Sequence, residues 1–242
     1  MSFTAIEAPD IETSSEAYAR RFSGAAGAFM LARQLAMVKS LLTDKCGATI
    51  LEVGGGHAQL SGPLAAAGHR VTVLGSTPAC STLLAQDRRN KSVRFVAGSL
   101  VNLPFGNGSF DTVIAIRLMA HIGDWRRLVG EMSRVARQSV IIDYPTWISS
   151  NALSLLTFGI KKRIEGDTRQ YRSFWDGEIA REFRRHDKRV VARRRQFILP
   201  MALHRKTAGY RAFQRFEAFA AHAGLTSLFG NPAMLRADTI LG

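Results

Sequence analysis

The segment from Thr49 to His57 constrains the fold of this chain more than any other stretch. A short apolar strand carries the acid Glu52 at its end, three consecutive glycines follow, and a helix-like segment runs from Ala58 to Ala67. Glycine has no Cβ, so the backbone can turn sharply there and a ligand can approach it closely. An acid at this place favours a positively charged or hydroxyl-rich ligand over a bare phosphate. The segment therefore predicts a strand, a ligand-binding turn and a helix, in that order.

Strand-like and helix-like patterns alternate along the rest of the chain. Seven apolar, β-branched runs are predicted as strands: Thr49–Val53, Arg70–Leu74, Val93–Ala97, Asp111–Ile116, Ser139–Asp143, Arg189–Leu199 and Ala233–Ile240. The main predicted helices are Ala25–Leu42, Trp125–Ala136, Trp147–Ile160 and His204–Ala223. Strands that alternate with helices imply right-handed crossovers and a parallel sheet with helices on both faces.

Length and cysteine usage bound the class of protein. The 242 residues, 46% of them hydrophobic, are enough for one sizeable core and too few for two ordinary domains. The polar, acidic start does not resemble a signal peptide, and no apolar run reaches the ~18 residues needed to span a bilayer. Cys46 and Cys80 have no metal-ligand spacing and cannot form a disulfide framework. We expect a reduced, cytoplasmic protein without a metal site.

The net charge of +14 is distributed unevenly. Residues 1–150 hold 15 Lys and Arg against 11 Asp and Glu, whereas residues 151–242 hold 18 against 8. A basic excess favours an anionic membrane surface, an acidic substrate or nucleic acid as partner. A solvated basic face without a specific partner is an equally good interpretation of the charge alone.

Four motifs then follow one another in a recognisable order. They are Ile50-Leu-Glu-Val-Gly-Gly-Gly56, Val71-Thr-Val-Leu-Gly-Ser-Thr-Pro78, Gly98-Ser-Leu-Val-Asn-Leu-Pro-Phe-Gly-Asn-Gly-Ser-Phe-Asp111, and His121-Ile-Gly-Asp-Trp125 with Leu128-Val-Gly-Glu-Met-Ser-Arg-Val-Ala136. Over residues 45–145 the chain resembles the class I S-adenosylmethionine (SAM) methyltransferases, in particular the branch whose third loop contains "LPF…SFD". The dinucleotide fingerprint G-x-G-x-x-G fits less well, because its sixth position is Gln59 here.

The resemblance implies an α/β fold: a Rossmann-like, mostly parallel sheet of seven strands with the last strand antiparallel. It also implies one domain over residues 1–242. Its parts are an N-terminal helical cap (1–44), a cofactor-binding core (45–145), a helical lid or insert (146–188), and the late strands with an inserted helix (189–242).

The same resemblance assigns cofactor contacts position by position. Gly54, Gly55 and Gly56 would meet the methionine part of SAM, or of its product S-adenosylhomocysteine (SAH). Glu52 would anchor that loop or the ammonium group. The remaining positions are Gly75 and Ser76 at the ribose, Ser99 and Leu100 at the adenine, Arg117 beside the sulfonium, and Tyr18 in a segment that closes over the cofactor.

Two positions depart from the family pattern. The family usually has an acid at the end of the second strand for the ribose hydroxyls, and another after the third strand for the adenine amine. This chain has Gly75 and Ser99 there. Each lost charge-assisted hydrogen bond is worth about 1.5–3 kcal/mol, although Ser76, Thr77 or backbone groups could compensate. A second interpretation therefore stays open, a non-catalytic protein with this fold that serves as a partner- or membrane-binding module.

Catalysis by such a protein needs little from its side chains. SAM carries its own electrophile and leaving group, so the protein aligns the acceptor, excludes water and, for a weakly acidic acceptor, removes a proton. His121, after the fourth strand, is the candidate base; a helix cap or local packing is its alternative role. Tyr144, at the end of the fifth strand, is the second catalytic candidate, because open α/β sheets bind ligands at that edge.

Two features of the sequence bear on the class of acceptor: the absence of nucleic-acid methyltransferase signatures and the apolar segment after the fifth strand. Neither the [DNS]-P-P-[YFW] signature of amino-methylating nucleic-acid enzymes nor a Pro-Cys nucleophile is found, so nucleic acid is the less favoured substrate. Trp147–Ile160 is apolar and runs into Lys161-Lys-Arg163. Such a segment is typical of a helix on an anionic membrane or over a hydrophobic acceptor, and a core helix is the alternative. We predict a small-molecule or lipid-like acceptor and leave the oligomeric state open.

Overall fold

The computed structural model describes residues 8–43, 46–148, 171–199 and 210–240. The helices in these ranges are α1 (Asp10–Thr13), α2 (Glu16–Arg20), α3 (Gly24–Leu41), α4 (Ser61–Ala66), α5 (Thr82–Gln86), α6 (Trp125–Val135), α7 (Asp176–Arg184), α8 (Tyr210–His222) and α9 (Leu225–Phe229). The strands are β1 (Thr49–Val53), β2 (Arg70–Gly75), β3 (Arg94–Ala97), β4 (Phe110–Ala115), β5 (Ala136–Tyr144), β6 (Lys188–Phe197) and β7 (Asn231–Thr239).

The seven strands form one sheet in the order β3-β2-β1-β4-β5-β7-β6. Strands β1 to β5 pair in parallel, and β7 runs antiparallel to both β5 and β6. The expected seven-stranded α/β sheet with an antiparallel last strand is therefore confirmed. The strand order reverses between β1 and β4, and parallel sheets bind ligands at the carboxyl ends of the strands beside such a reversal.

Apolar side chains fill both faces of the sheet. One face packs against α6 and α7 through residues such as Trp125, Leu128 and Phe183, and the other packs against α3 and α4 through Val38 and Leu64. The inner strands are buried on both faces, which explains why they read as nearly continuous apolar runs in the sequence. Within the described ranges, no helix combines the length and apolarity that crossing a bilayer requires.

Element boundaries follow the predictions with informative exceptions. Strand β5 begins three residues earlier than predicted, directly after α6, because the exposed Arg137 and Gln138 interrupt the apolar pattern although they belong to the strand. The short helices α1, α2, α7 and α9 were not predicted. Of the predicted helix Trp147–Ile160 only the first two residues are described, and α8 is the described part of the predicted helix His204–Ala223.

Phe174 and Trp175 offer a test of the core. Phe174 is fully buried, with its ring 5.3 Å from that of Trp125, whereas Trp175 is 56% exposed. We expect Phe174→Ala to lower the free energy of unfolding by about 3–5 kcal/mol, because it leaves a cavity, and Trp175→Ala to change it by less than about 1 kcal/mol. Chemical denaturation measures both, and equal effects would contradict this packing.

Candidate functional site

The glycine turn after β1 is closely packed by the chain itself. Gly54 has a φ of 71°, in the left-handed region that favours glycine. A Cβ at Gly55 would lie 2.5 Å from Cδ of Glu52, and a Cβ at Gly56 would lie 2.5 Å from the carbonyl oxygen of Cys80 and even nearer the hydroxyl of Ser14. The glycines are thus required by close contacts, and the residue that follows α1 lies directly on the turn.

Glu52 lies beneath this turn, next to His57. Glu52 is completely buried, and burial raises its pKa to about 8 although the Arg117 charge opposes this. Burial and Arg117 lower the pKa of His57 to about 3. The 3.6 Å contact between Glu52 Oε1 and His57 Nε2 is therefore mostly a contact of two neutral groups at pH 7, not an ion pair. The Gln59 N–H donates to His57 Nδ1 over 3.3 Å, which leaves the ring proton on Nε2.

Arg117 follows β4 and joins the ends of β4 and β5. Its backbone adopts a φ of 60°, unusual for a residue with a side chain, and its N–H donates to Asp143 Oδ1 over 2.6 Å. Burial raises the pKa of Asp143 to about 6, an effect that this N–H and the Arg117 charge oppose. The backbone of Arg117 is thus fixed by a carboxyl from the neighbouring strand.

The side chain of Arg117 reaches back over the glycine turn. Its guanidinium donates to the amide oxygens of Gln34 on α3 and Gln59 after the turn, and it lies 4.1 Å from the ring centre of Phe22. Burial lowers its pKa, and Tyr18 is the first of the groups that oppose this. The structure therefore brings Tyr18, Arg117 and the glycine turn together, as a site at this edge requires.

The end of β2 has no room for a side chain at Gly75, but an acid from another element lies beside it. A Cβ at Gly75 would lie 2.7 Å from Cβ of Cys80 and 2.9 Å from the ring of Phe95. The next residue, Ser76, donates its backbone N–H to Asp10 Oδ2 over 2.8 Å. Asp10 belongs to α1 and is 1% exposed. The structure therefore places a carboxyl from α1 beside the end of β2, where the sequence has Gly75 and no acid.

The end of β3 differs from the end of β2. The Ser99 hydroxyl accepts the N–H of Val101 over 3.3 Å and so closes a local turn. The side chain of Leu100 is fully buried in the core beside α6. The structure therefore places Ser99 at the carboxyl edge with a hydroxyl already engaged by the backbone.

Unpaired polar atoms concentrate around the glycine turn. In the part of the chain that the structure describes, thirteen buried side-chain nitrogen and oxygen atoms have no hydrogen-bond partner. Six of them surround the turn: Asp10 Oδ1, Ser14 Oγ, Gln34 Nε2, both carboxyl oxygens of Glu52, and His57 Nε2. Each such group costs about 1–3 kcal/mol when it stays unpaired, so a cluster of them is typical of a site that binds a polar ligand.

The two catalytic candidates, His121 and Tyr144, have different surroundings. His121 is half-buried at the end of the turn after β4, with its ring 5.7 Å from that of the exposed Tyr171. Tyr144 is 1% exposed, and its hydroxyl donates to Asp176 Oδ1 on α7 over 2.9 Å. Burial raises the pKa of Tyr144 above its usual value. His121 thus lies at the accessible edge, whereas the Tyr144 hydroxyl is engaged inside the protein.

An exposed apolar surface lies beside His121. We call it the aromatic rim; its members are between 41% and 59% exposed and are Trp147, Ile148, Tyr171 and Trp175. The rings of Trp147 and Trp175 stack with centres 6.3 Å apart. The Arg172 N–H donates to the Ala120 carbonyl over 3.0 Å and fixes this segment next to the loop that carries His121.

The comparisons with known proteins agree with this geometry. Residues 51–142 match the family model described as a methyltransferase domain. An uncharacterized methyltransferase of Mycobacterium sp. (strain JLS) is 31% identical over 108 residues, which cover 44% of this chain and 42% of that protein. A second one, from strain KMS, is 30% identical over the same length. The chain thus spans 42% of the length of these curated relatives.

Solved structures decide the fold. Magnesium protoporphyrin IX methyltransferase from Synechocystis PCC 6803, solved with bound SAH, superposes with a TM-score of 0.64 at 13% identity, covering 98% of this chain and 97% of that one. A SAM-dependent methyltransferase from Thermotoga maritima superposes with a TM-score of 0.65 at 17% identity, covering 96% and 99%. The fold is that of the class I methyltransferases.

The residues around the turn fit the cofactor of this methyltransferase fold in chemistry. SAM has an ammonium group and two ribose hydroxyls that donate hydrogen bonds, and a carboxylate that accepts them. Three unpaired carboxyl oxygens, from Asp10 and Glu52, lack donors, and Arg117 supplies a cation. Donors in the ligand thus meet acceptors in the protein, as buried polar groups require.

Sequence reasoning missed Asp10, Ser14, Gln34 and Gln59 as parts of the site. Asp10 lies in a helix of four residues, too short to show any periodicity. Gln34 carried a usable signal, because α3 buries Gln34 on the same face as the apolar Met30 and Val38. A polar residue at a core position of an amphipathic helix needs a buried partner, and that partner is Arg117.

The raised pKa of Glu52 predicts a pH dependence of stability. An acid whose pKa is raised on folding contributes its full stabilisation at pH values below its pKa in the unfolded chain. This contribution is lost as pH rises through its pKa in the folded protein, which is about 8 for Glu52. We expect the stability of Glu52→Gln relative to the parent to increase by on the order of 1 kcal/mol per pH unit between pH 5.5 and 8. Denaturant unfolding across this range measures the difference.

Glu131→Gln is the matched control for this experiment. The pKa of Glu131 is lowered by Arg134, so its contribution is present throughout this range and is lost only in stronger acid. Its stability difference from the parent should stay constant between pH 5.5 and 8. Parallel pH profiles for the parent and Glu52→Gln would show that Glu52 is not a buried neutral acid.

Proposed function

We propose that this protein transfers a methyl group from SAM to a small-molecule or lipid-like acceptor with an apolar part. The observation that carries the proposal is the group of unpaired buried carboxyl oxygens around the glycine turn, at the point where the strand order reverses. A turn that only packed against the protein would leave these oxygens paired. A ligand rich in donors and positive charge removes the cost of leaving them unpaired.

The side chains around the turn bind and orient this cofactor. When bound, SAM supplies an activated methyl group together with its leaving group. Glu52, beneath the glycine turn, would accept a hydrogen bond from the ammonium group. Arg117 pairs with the carboxylate of the methionine part, because a guanidinium beside the sulfonium would repel it. Glu52 and Arg117 together would hold the amino-acid end of the cofactor, one through its ammonium group and the other through its carboxylate.

The aromatic rim supports the choice of acceptor. Its four exposed apolar side chains, of which Tyr171 lies next to His121, offer a surface on which an apolar acceptor buries area at about 25 cal/mol per Å². Such a contact excludes water from the transfer step, and His121 removes the proton of a phenol-like or quinol-like hydroxyl. The basic excess of residues 151–242 favours meeting this acceptor at an anionic membrane surface on the cytoplasmic side.

Binding of SAH should release a proton. At pH 7 Glu52 is mostly protonated, because its pKa is about 8, and pairing with an ammonium group ionises it. We expect micromolar binding of SAH with release of close to one proton. Titration calorimetry in two buffers of different ionisation enthalpy measures the proton count from the difference in heat.

Glu52→Gln provides the control for this titration. It should bind SAH more weakly and release almost no proton, since the amide cannot ionise. Absence of binding by the parent up to millimolar SAH would contradict the proposed function. It would favour the interpretation that the protein uses this fold to bind a partner or a membrane.

The role of His121 is tested by turnover. With methyl-labelled SAM and a panel of alkylated phenols and quinols, we expect His121→Ala to lower kcat by about 10²- to 10⁴-fold. The affinity for SAH should stay within about threefold of the parent, because His121 belongs to the loop after β4 and not to the glycine turn. His222→Ala, on the exposed face of α8, is the matched control. Unchanged turnover by His121→Ala would remove the base role.

A further inference from the structure

We propose that Asp10, carried by α1, accepts a hydrogen bond from a ribose hydroxyl of the cofactor, in place of the acid that β2 lacks. This inference rests on the proposed function, since it concerns the same ligand. It assigns a binding role to a residue outside the region 51–142 that matches the methyltransferase family model. The sugar end of the site is then completed by the N-terminal segment of the chain.

The position of Asp10 is the first argument. Its Oδ2 accepts the N–H of Ser76, the residue directly after β2, over 2.8 Å. Its Cβ lies 3.7 Å from the point where a Cβ of Gly54 would be. The carboxylate therefore lies between the glycine turn and the end of β2.

The second argument is that β2 cannot supply this acid itself. Cys80 and Phe95 fill the space that a side chain at Gly75 would need, with contacts under 3 Å. A carboxylate at this place must therefore come from another element. Helix α1 brings one, and its contact with Ser76 holds the side chain in a single position.

The third argument is the unused hydrogen-bonding capacity of Asp10. Asp10 is 1% exposed, and its Oδ1 has no hydrogen-bond partner in the described ranges. A carboxylate accepts about four hydrogen bonds, and a buried one with a single donor is strongly under-satisfied. A ribose hydroxyl is a donor of the right size for the remaining oxygen. Glu52 is less suited to this role, because it lies under Gly55 towards Arg117.

The same carboxylate couples the ligand to the docking of α1. The backbone carbonyl of Asp10 accepts from the Thr13 hydroxyl over 3.1 Å and from the Ser14 N–H over 2.9 Å, so its backbone is held within the helix. A ligand hydroxyl on Oδ1 would add a contact that exists only when α1 is docked. Ligand binding should therefore slow amide hydrogen exchange in residues 8–15.

The experiment compares SAH with its 2′-deoxyribose and 3′-deoxyribose counterparts by titration calorimetry. For the parent we expect at least one deoxy analogue to bind about 10- to 100-fold more weakly than SAH, because a hydrogen bond to a charged group is lost. Asp10→Asn and Asp10→Ala should weaken SAH by a similar factor and reduce the difference between the analogues to less than about threefold. The slowed exchange in residues 8–15 should also disappear.

Two variants of the same helix are matched controls. Glu12→Gln removes an equal charge from an exposed position that pairs with Arg21, and Thr13→Val removes a hydrogen bond inside α1. Both should keep the analogue ratios of the parent. Thermal melts of all four variants check that the fold is retained.

The outcomes separate this inference from the proposed function. If the parent binds SAH and both deoxy analogues equally well, or if the Asp10 variants keep the parent ratios, Asp10 has no ribose role while SAM binding stands. If the parent does not bind SAH at all, both proposals fall. If the affinity ratios between SAH and its deoxy analogues fall to near one in the Asp10 variants but not in the two controls, the ribose role of Asp10 is established.

Discussion

The parallel pairing of β1 with β2 on one side and β4 on the other determines where every group of the site lies. Glu52 pairs in register with Val73 and Ile114, so the three carboxyl ends arrive at one edge together. The glycine turn, the residue after β2 and Arg117 after β4 then meet without any long loop. The helices contribute only what this edge still lacks, such as Gln34 from α3 and Asp10 from α1.

The electrostatics of this edge are organised around one cation. Arg117 lies among two buried acids and two glutamines, and burial shifts the pKa values of Glu52 and Asp143 upward while it lowers that of Arg117. Burial thus opposes the charged form of each group, and at pH 7 Glu52 is the one that is mostly neutral. A site of this kind suits a ligand that carries its own charges, because a cationic group beside Glu52 favours the ionised form of this acid.

Much of the fold was predictable from sequence, because the inner strands and the longer helices have strong periodicity or continuous apolar runs. β1 begins and ends at the predicted residues. The helices α1 and α2 were not predicted, because four or five residues are too few to show a helical periodicity. The Glu52 and glycine positions were predictable because neighbouring residues form them. Asp10 was not, since it acts 66 residues away from Ser76 and only the folded chain brings the two together.

The crowding at Gly75 has a consequence for how such a protein can change over generations. Cys80 and Phe95 occupy the space that a side chain at Gly75 would need, so a single substitution of Gly75 to an acid displaces both residues at once. An acid at position 75 would need smaller residues at positions 80 and 95 first, and that intermediate would carry a cavity. An acid at position 75 is therefore reached only through a less stable protein, whereas the carboxyl that α1 brings to this edge leaves Cys80 and Phe95 in place.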